Sequence, residues 1–141
     1  MITKAIRNCI DQAGQRGWKK TFWAFDIHNT MIIPNYSSEE IPPTFYPHAL
    51  EVMQLISRRS NIVRILYTCS HPAEIEKYLH LFQRNRIHFD YVNENPDVCN
   101  DGYGFYDHKL YFNVLFEDKA GFDPITDWLE VKNLLSGIWT D

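Results

Sequence analysis

Ile2, Ala5, Ile6, Cys9, Ile10 and Ala13 recur at steps of three and four, the stripe of an amphipathic helix, with Gly14 and Gly17 as its stop. Thr21-Phe22-Trp23-Ala24-Phe25 has almost no polar interruption and predicts a short strand covered on both faces, ending at Asp26. From Met31 to Tyr46 the chain carries Pro34, Pro42 and Pro43, which breaks both periodicities and predicts an irregular excursion. Pro47 suits the first turn of a second helix, whose buried face runs from Ala49 and Leu50 through Val52 and Met53 to Ile56. Ile62 to Tyr67 reads as a second core strand ending in Thr68-Cys69-Ser70, and Pro72 opens a third helix with Ile75, Tyr78, Leu79 and Phe82 on its apolar face. Ile87 to Val92 alternates in part and is compatible with a short strand. Residues 93–108 form a long polar segment, Tyr111 to Phe116 a last core strand ending in Glu117-Asp118, and Pro124 opens a final helix.

This alternation predicts an α/β fold: a Rossmann-like, three-layer arrangement with a mainly parallel central sheet and helices on both faces. At 141 residues the chain is expected to form one domain over 1–141, with no separate cap. Ligands of such sheets bind at the carboxyl ends of the strands. The apolar runs fall well short of the roughly 18 residues that a membrane span needs, and no signal core follows the N-terminus, so a cytoplasmic location is expected. A net charge of −4 argues against a nucleic-acid binder working through bulk positive field and favours small molecules or proteins as partners. Cys9, Cys69 and Cys99 lack disulfide or zinc spacing and read as buried thiols.

The strand ends carry the candidate chemistry. Asp26, Thr68 and Asp118 close three core strands, and Lys109 lies just before the last of them. Two carboxylates, a hydroxyl and an ammonium suit phosphoryl transfer: one carboxylate attacks phosphorus, another holds Mg²⁺, and the donors neutralise the equatorial oxygens.

In this order the sequence resembles the haloacid dehalogenase-like superfamily of aspartyl-phosphate phosphohydrolases. Phe25-Asp26-Ile27-His28-Asn29-Thr30 is similar to its first motif, DxDxT; Ile65-Leu66-Tyr67-Thr68 to its second; Lys109 to its third; and Phe116-Glu117-Asp118 with Asp123 to its fourth. The resemblance implies a small capless fold, Asp26 as nucleophile and metal ligand, Thr68 as a phosphoryl donor and Lys109 as the lysine holding Asp26 and the phosphoryl group in register. It implies Mg²⁺ held by Asp26, Asp118 and the backbone carbonyl of His28, with Asp123 as a further metal-side acid. The expected substrate is a phosphorylated small molecule or an exposed phosphate group. One residue departs from the pattern: His28 stands where the family's phosphatases place a second aspartate. Two readings are open, a phosphohydrolase in which neutral imidazole does acid–base work, and a catalytically impaired relative with a binding or interaction role.

Several of these residues have plainer explanations. Asp123 precedes Pro124 and suits the N-cap of the last helix. Ser70 or His71 can cap the helix that Pro72 opens, which would leave Thr68 a strand terminus. Lys119 competes with Lys109 for the site. A phosphoreceiver domain would place its acidic pair on the first strand, and a dinucleotide-binding domain would need a Gly-rich turn after it, whereas residues 26–30 contain no glycine.

Overall fold

A computed structural model of the chain describes residues 1–35, 40–101 and 104–140. The helices are α1 (Ile2–Arg16), α2 (Ala49–Ser57), α3 (Pro72–Arg84) and α4 (Asp127–Ile138); the strands are β1 (Thr21–Phe25), β2 (Ile62–Leu66), β3 (Tyr91–Val92) and β4 (Val114–Phe116). A 3-10 turn covers Asp118–Ala120. The predicted first helix runs through Gly14 and stops at Gly17, whose left-handed backbone (φ 68°) ends it without the Cβ penalty that other residues incur. Residues 36–39, within the proline-rich excursion, lie outside the described residues.

The strands form one parallel sheet in the order β3-β2-β1-β4. The architecture is α/β and Rossmann-like, a four-strand parallel sheet flanked by four helices, as the alternation of patterns predicts. Register puts Trp23 and Phe25 on one face with Leu66, Val114 and Phe116. All four helices contribute buried side chains to a single cluster with these residues, including Ile6, Met53, Phe82 and Trp128. Phe116 is the hub on the β4 side, stacked on Phe25 at 4.6 Å and on Trp128 at 5.5 Å. Full burial of such rings supplies a large share of the apolar driving force and holds the ends of β1 and β4 together.

The topology sets the path of the polar segment. β1 to β2 to β3 steps one way across the sheet, and the chain then returns past β2 and β1 to reach β4. A right-handed return places that crossover on the opposite face. There Tyr111 packs edge-on against Phe22 at 5.9 Å, so the chain at Tyr111 forms part of the layer on this face. Its final stretch is less regular than the alternation suggests, and β4 begins at Val114, three residues after Tyr111. Asn113 pairs with Phe22 on both sides, its N–H donating to Phe22 O (2.7 Å) and its Oδ1 accepting from Phe22 N–H (2.8 Å).

Arg64, a charge inside the central strand β2, is buried because its guanidinium closes the end of α2. It donates to the carbonyls of Ile56, Arg59, Ile62 and His88, and its own N–H donates to Asp90. The cysteine expectation is corrected: Cys9 is buried, but Cys69 and Cys99 are exposed, since both fall on loops rather than on core elements. Among the described residues no helix is long and apolar enough to cross a membrane.

Candidate active site

Asp26 follows directly from β1, and its N–H donates to Phe116 O at 2.9 Å, so the ends of β1 and β4 are in register where the carboxylates begin. The chain then folds into a tight loop in which the N–H groups of Thr30, Met31 and Ile32 all converge on Ile27 O. Asn29 takes the left-handed conformation (φ 60°), which asparagine tolerates better than most residues, and this turns His28 and Asn29 toward a cavity of about 510 Å³. Asp26, Thr68, Glu117, Asp118 and Lys119 line the same cavity. One carboxylate oxygen from each of Asp26, Glu117 and Asp118 lies within 4.8 Å of the others.

Thr30, fully buried, ties this cluster together. Its hydroxyl donates to Asp26 Oδ2 (3.3 Å) and accepts from the N–H of Asp118 (3.1 Å), while its carbonyl accepts from Trp128 Nε1 (2.7 Å). Thr30 thus acts as a brace between the acids that follow β1 and β4 and anchors both to the core.

Thr68 is held from two directions. Asn93, left-handed at φ 54° just after β3, accepts from Thr68 N–H through Oδ1 and donates through Nδ2 to Thr68 O, both at 2.8 Å. The Thr68 hydroxyl lies 2.9 Å from Ser70 Oγ and accepts from Ser70 N–H. With the Ser70 hydroxyl as donor in that pair, the Thr68 proton is free to point into the cavity. The sequence pattern places Asn93 merely at the start of a loop. Its one signal is an asparagine at a strand end, a residue type that can turn left-handed and clamp a neighbouring backbone.

The two remaining candidates are elsewhere. Lys109 does not line the cavity that contains Asp26; it borders a separate cavity lined by residues 93–96, 98–100 and 106–110. The ammonium-bearing residue that lines the Asp26 cavity is Lys119, carried there by the 3-10 turn that follows β4. Asp123 is not part of the cluster: its carboxylate accepts from Ile125 N–H (3.0 Å) and its carbonyl from Asp127 N–H (2.8 Å). It shapes the turn before α4 and is not the N-cap itself, which is Thr126. The physical reason is local, since Pro124 has no N–H to give and the next donors, two, three and four residues on, all turn back to Asp123.

His28 is half-buried, with Nε2 2.5 Å from the hydroxyl of Tyr78 and the two rings edge-to-face at 5.3 Å. Burial pushes its pKa below the ordinary value of 6.5, partly countered by Glu74. Burial also raises Asp26 from 3.8 to about 7; a hydrogen bond from the Ile27 N–H opposes this, while Asp118 and Glu117 add to the rise. Burial, followed by Asp118, raises Glu117 as well. Three carboxylates packed this closely, with Lys119 as the one lysine among the described residues lining their cavity, form a site short of positive charge.

A pH dependence of stability results. Asp26 has a higher proton affinity in the folded state than in the unfolded chain, so its favourable contribution is complete below about pH 4 and is lost as pH rises through about 7. The metal-free protein is therefore expected to lose Tm between about pH 5 and pH 8, and the loss should shrink in Asp26→Asn. Thermal melts of both proteins across that range check this, and parallel curves would contradict it.

The fold and the polar strand ends define an α/β domain with an acidic, oxygen-rich site at the carboxyl edge of a parallel sheet. No family model matches the sequence, and no curated protein matches it. A solved structure described as a conserved protein from Bacteroides thetaiotaomicron is similar in fold, with a TM-score of 0.63 over 84% of this chain and 91% of that one, at 17% identity. At that identity the likeness shows the fold alone.

Proposed function

We propose that the protein is a Mg²⁺-dependent phosphohydrolase of the haloacid dehalogenase-like kind, acting through an aspartyl-phosphate on Asp26. The observation that carries this reading is the meeting of Asp26, Glu117 and Asp118 with Thr68 and Lys119 around one cavity at the strand ends. Its substrate is a phosphorylated small molecule or an exposed phosphate group, because no larger recognition surface is needed to reach the cavity.

The donor set fits the metal. Three clustered carboxylates, with Asp26 driven up to about 7 in the absence of enough positive charge, provide the hard oxygen ligands that Mg²⁺ prefers. Asp26, Asp118 and the His28 carbonyl would hold it, with Glu117 beside them. When bound, the ion would supply positive charge at the phosphoryl oxygens and favour the ionised form of Asp26.

This chain's own residues then have separate tasks. One Asp26 oxygen attacks phosphorus, the bond to the leaving oxygen breaks, and its electron pair departs with the leaving group. The Thr68 hydroxyl and the Lys119 ammonium donate to the equatorial oxygens where charge accumulates. Thr30 keeps the attacking carboxylate aligned. The runner-up, a catalytically impaired protein with a binding role, draws on the histidine at position 28 and its engagement by Tyr78.

The test is phosphate release from a panel of phosphomonoesters, acyl phosphates and pyrophosphate, with and without Mg²⁺. Metal-dependent release supports the hydrolase; silence across the panel favours the binding reading. The same assay distinguishes the lysines: Lys119→Ala is expected to cut kcat by about 10²-fold, the scale of losing one charged donor to a transition-state oxyanion, and Lys109→Ala to change it little. The reverse result would return the role to Lys109.

A further inference from the structure

A cavity of about 250 Å³ opens at the amino end of the sheet, where the paired first residues of β1 and β2, Thr21 and Ile62, form part of its wall. Asp26 follows the other end of β1, so about 15 Å of strand separates the two sites. Trp18, Trp23 and Trp139 line this cavity, three of the four tryptophans of the chain. Their rings are held in place. Trp23 is fully buried, with its Nε1 donating to Thr21 Oγ1 (3.0 Å), and Trp139 stacks on it at 6.3 Å with the Arg59 guanidinium over its own ring at 4.5 Å. The Arg16 guanidinium lies over Trp18 at 5.5 Å. Indole walls fixed in this way are preorganised to receive a flat ring.

Gly14 supplies the space. It lies within α1 without the left-handed φ that would require glycine, and a Cβ at this position would meet no atom within 4 Å. Neither backbone conformation nor a close neighbour therefore explains a residue that costs helix stability relative to alanine. Its missing side chain leaves the cavity open on the α1 side.

Charge narrows the ligand further. Lys19 and Lys20 line the cavity beyond the last turn of α1, and both are exposed. None of the described residues lining it carries a carboxylate. In a chain of net charge −4 whose clustered acids lie at the opposite end of the sheet, this end is locally cationic. Asn61 adds an exposed amide with both donors and an acceptor. The volume is below the roughly 300–1,000 Å³ of pockets that enclose a drug-sized ligand, so one ring fits inside while an anionic substituent remains outside at the lysines.

We infer that this cavity binds a nucleoside monophosphate, with its base against the tryptophans, the edge of the base hydrogen-bonded by Asn61, and its phosphate paired with Lys19 and Lys20. Every base has a π face to stack, and its edge carries the donors and acceptors that an amide can read. A plain aromatic ring would leave Asn61 unused, and a small anion would leave the indoles unused. The site is separate from the acids at the strand ends and does not depend on the reading of Asp26.

The test is titration of the full chain, without Mg²⁺, by the common nucleoside monophosphates, the matching nucleosides and inorganic phosphate, read by tryptophan fluorescence and calorimetry. At least one nucleotide is expected to bind with Kd below about 1 mM. Its nucleoside and inorganic phosphate should each bind at least about tenfold more weakly. Trp18→Ala is expected to weaken the nucleotide about tenfold, the scale of one base–aromatic stack. Lys19→Ala combined with Lys20→Ala should remove the difference between nucleotide and nucleoside. Gly14→Leu should block binding while Tm holds or rises, because leucine is a better helix former than glycine.

Absence of binding by every nucleotide overturns the proposal. A nucleoside that binds as tightly as its nucleotide overturns the role of the lysines, and phosphate that binds as tightly overturns the role of the base. Unchanged affinity in Gly14→Leu, or altered affinity in Asp26→Asn, would place the nucleotide outside this cavity and overturn the site.

Discussion

Asp26→Asn is expected to abolish metal-dependent phosphate release while leaving the fold intact and raising Tm at neutral pH. The amide matches the carboxylate in shape, so the Thr30 hydroxyl and the Asp26 N–H to Phe116 O bond keep their places. What disappears is the proposed nucleophile, and removing such a group in enzymes using covalent intermediates commonly costs about 10⁴-fold or more in kcat. Stability moves the other way, because a half-buried carboxylate beside Glu117 and Asp118 is replaced by a neutral group at a pH where Asp26 is already partly ionised. Phosphate release and thermal melts on the same preparation check both halves. Turnover that survives would rule out Asp26 as nucleophile; an unchanged Tm would mean that its charge costs little in the fold.

The second large effect is expected from His28→Asp, in the opposite direction. A carboxylate at position 28 can protonate a leaving group and then take a proton from water, whereas one ring nitrogen of the histidine is already engaged by Tyr78. General acid–base help of this kind contributes about 10²–10⁴-fold, so a rise in kcat of about 10²-fold on alkyl phosphates is expected. The substitution adds a fourth acid beside Asp26, Glu117 and Asp118, so without Mg²⁺ the variant should melt lower than the native protein and recover when the ion is added. A fall in kcat on every substrate would instead assign the proton work to His28 itself.

Much of this site is legible in the chain because its acids sit at the ends of strongly patterned strands. The apolar runs at Thr21–Phe25 and Ile62–Leu66 identify core strands, and the polar residues beyond their ends, Asp26 and Thr68, are carried to the same edge of any parallel sheet. Asp118 follows by the same logic from the run ending at Phe116. Covalent adjacency to a patterned strand is sufficient for such positions. It does not suffice for Lys109, which lies in a segment without periodicity, or for Asp123, whose proximity to Asp118 in sequence does not bring it to the site.

The sequence alone thus determined the α/β alternation, the parallel strands and the acids at their ends, since hydrophobic period and turn residues act locally. Tertiary structure decided which lysine reaches the cavity, since the 3-10 turn after β4 presents Lys119 and the crossover carries Lys109 elsewhere. It also decided that Asn93 clamps Thr68, that Thr30 braces two acids, and that Tyr78 engages His28. The contacts of Asn93 with Thr68, Thr30 with Asp118 and Tyr78 with His28 each join residues 25 or more positions apart in the chain. Their meeting depends on how the crossovers stack α3 and β3 against β1, a consequence of packing that no local pattern records.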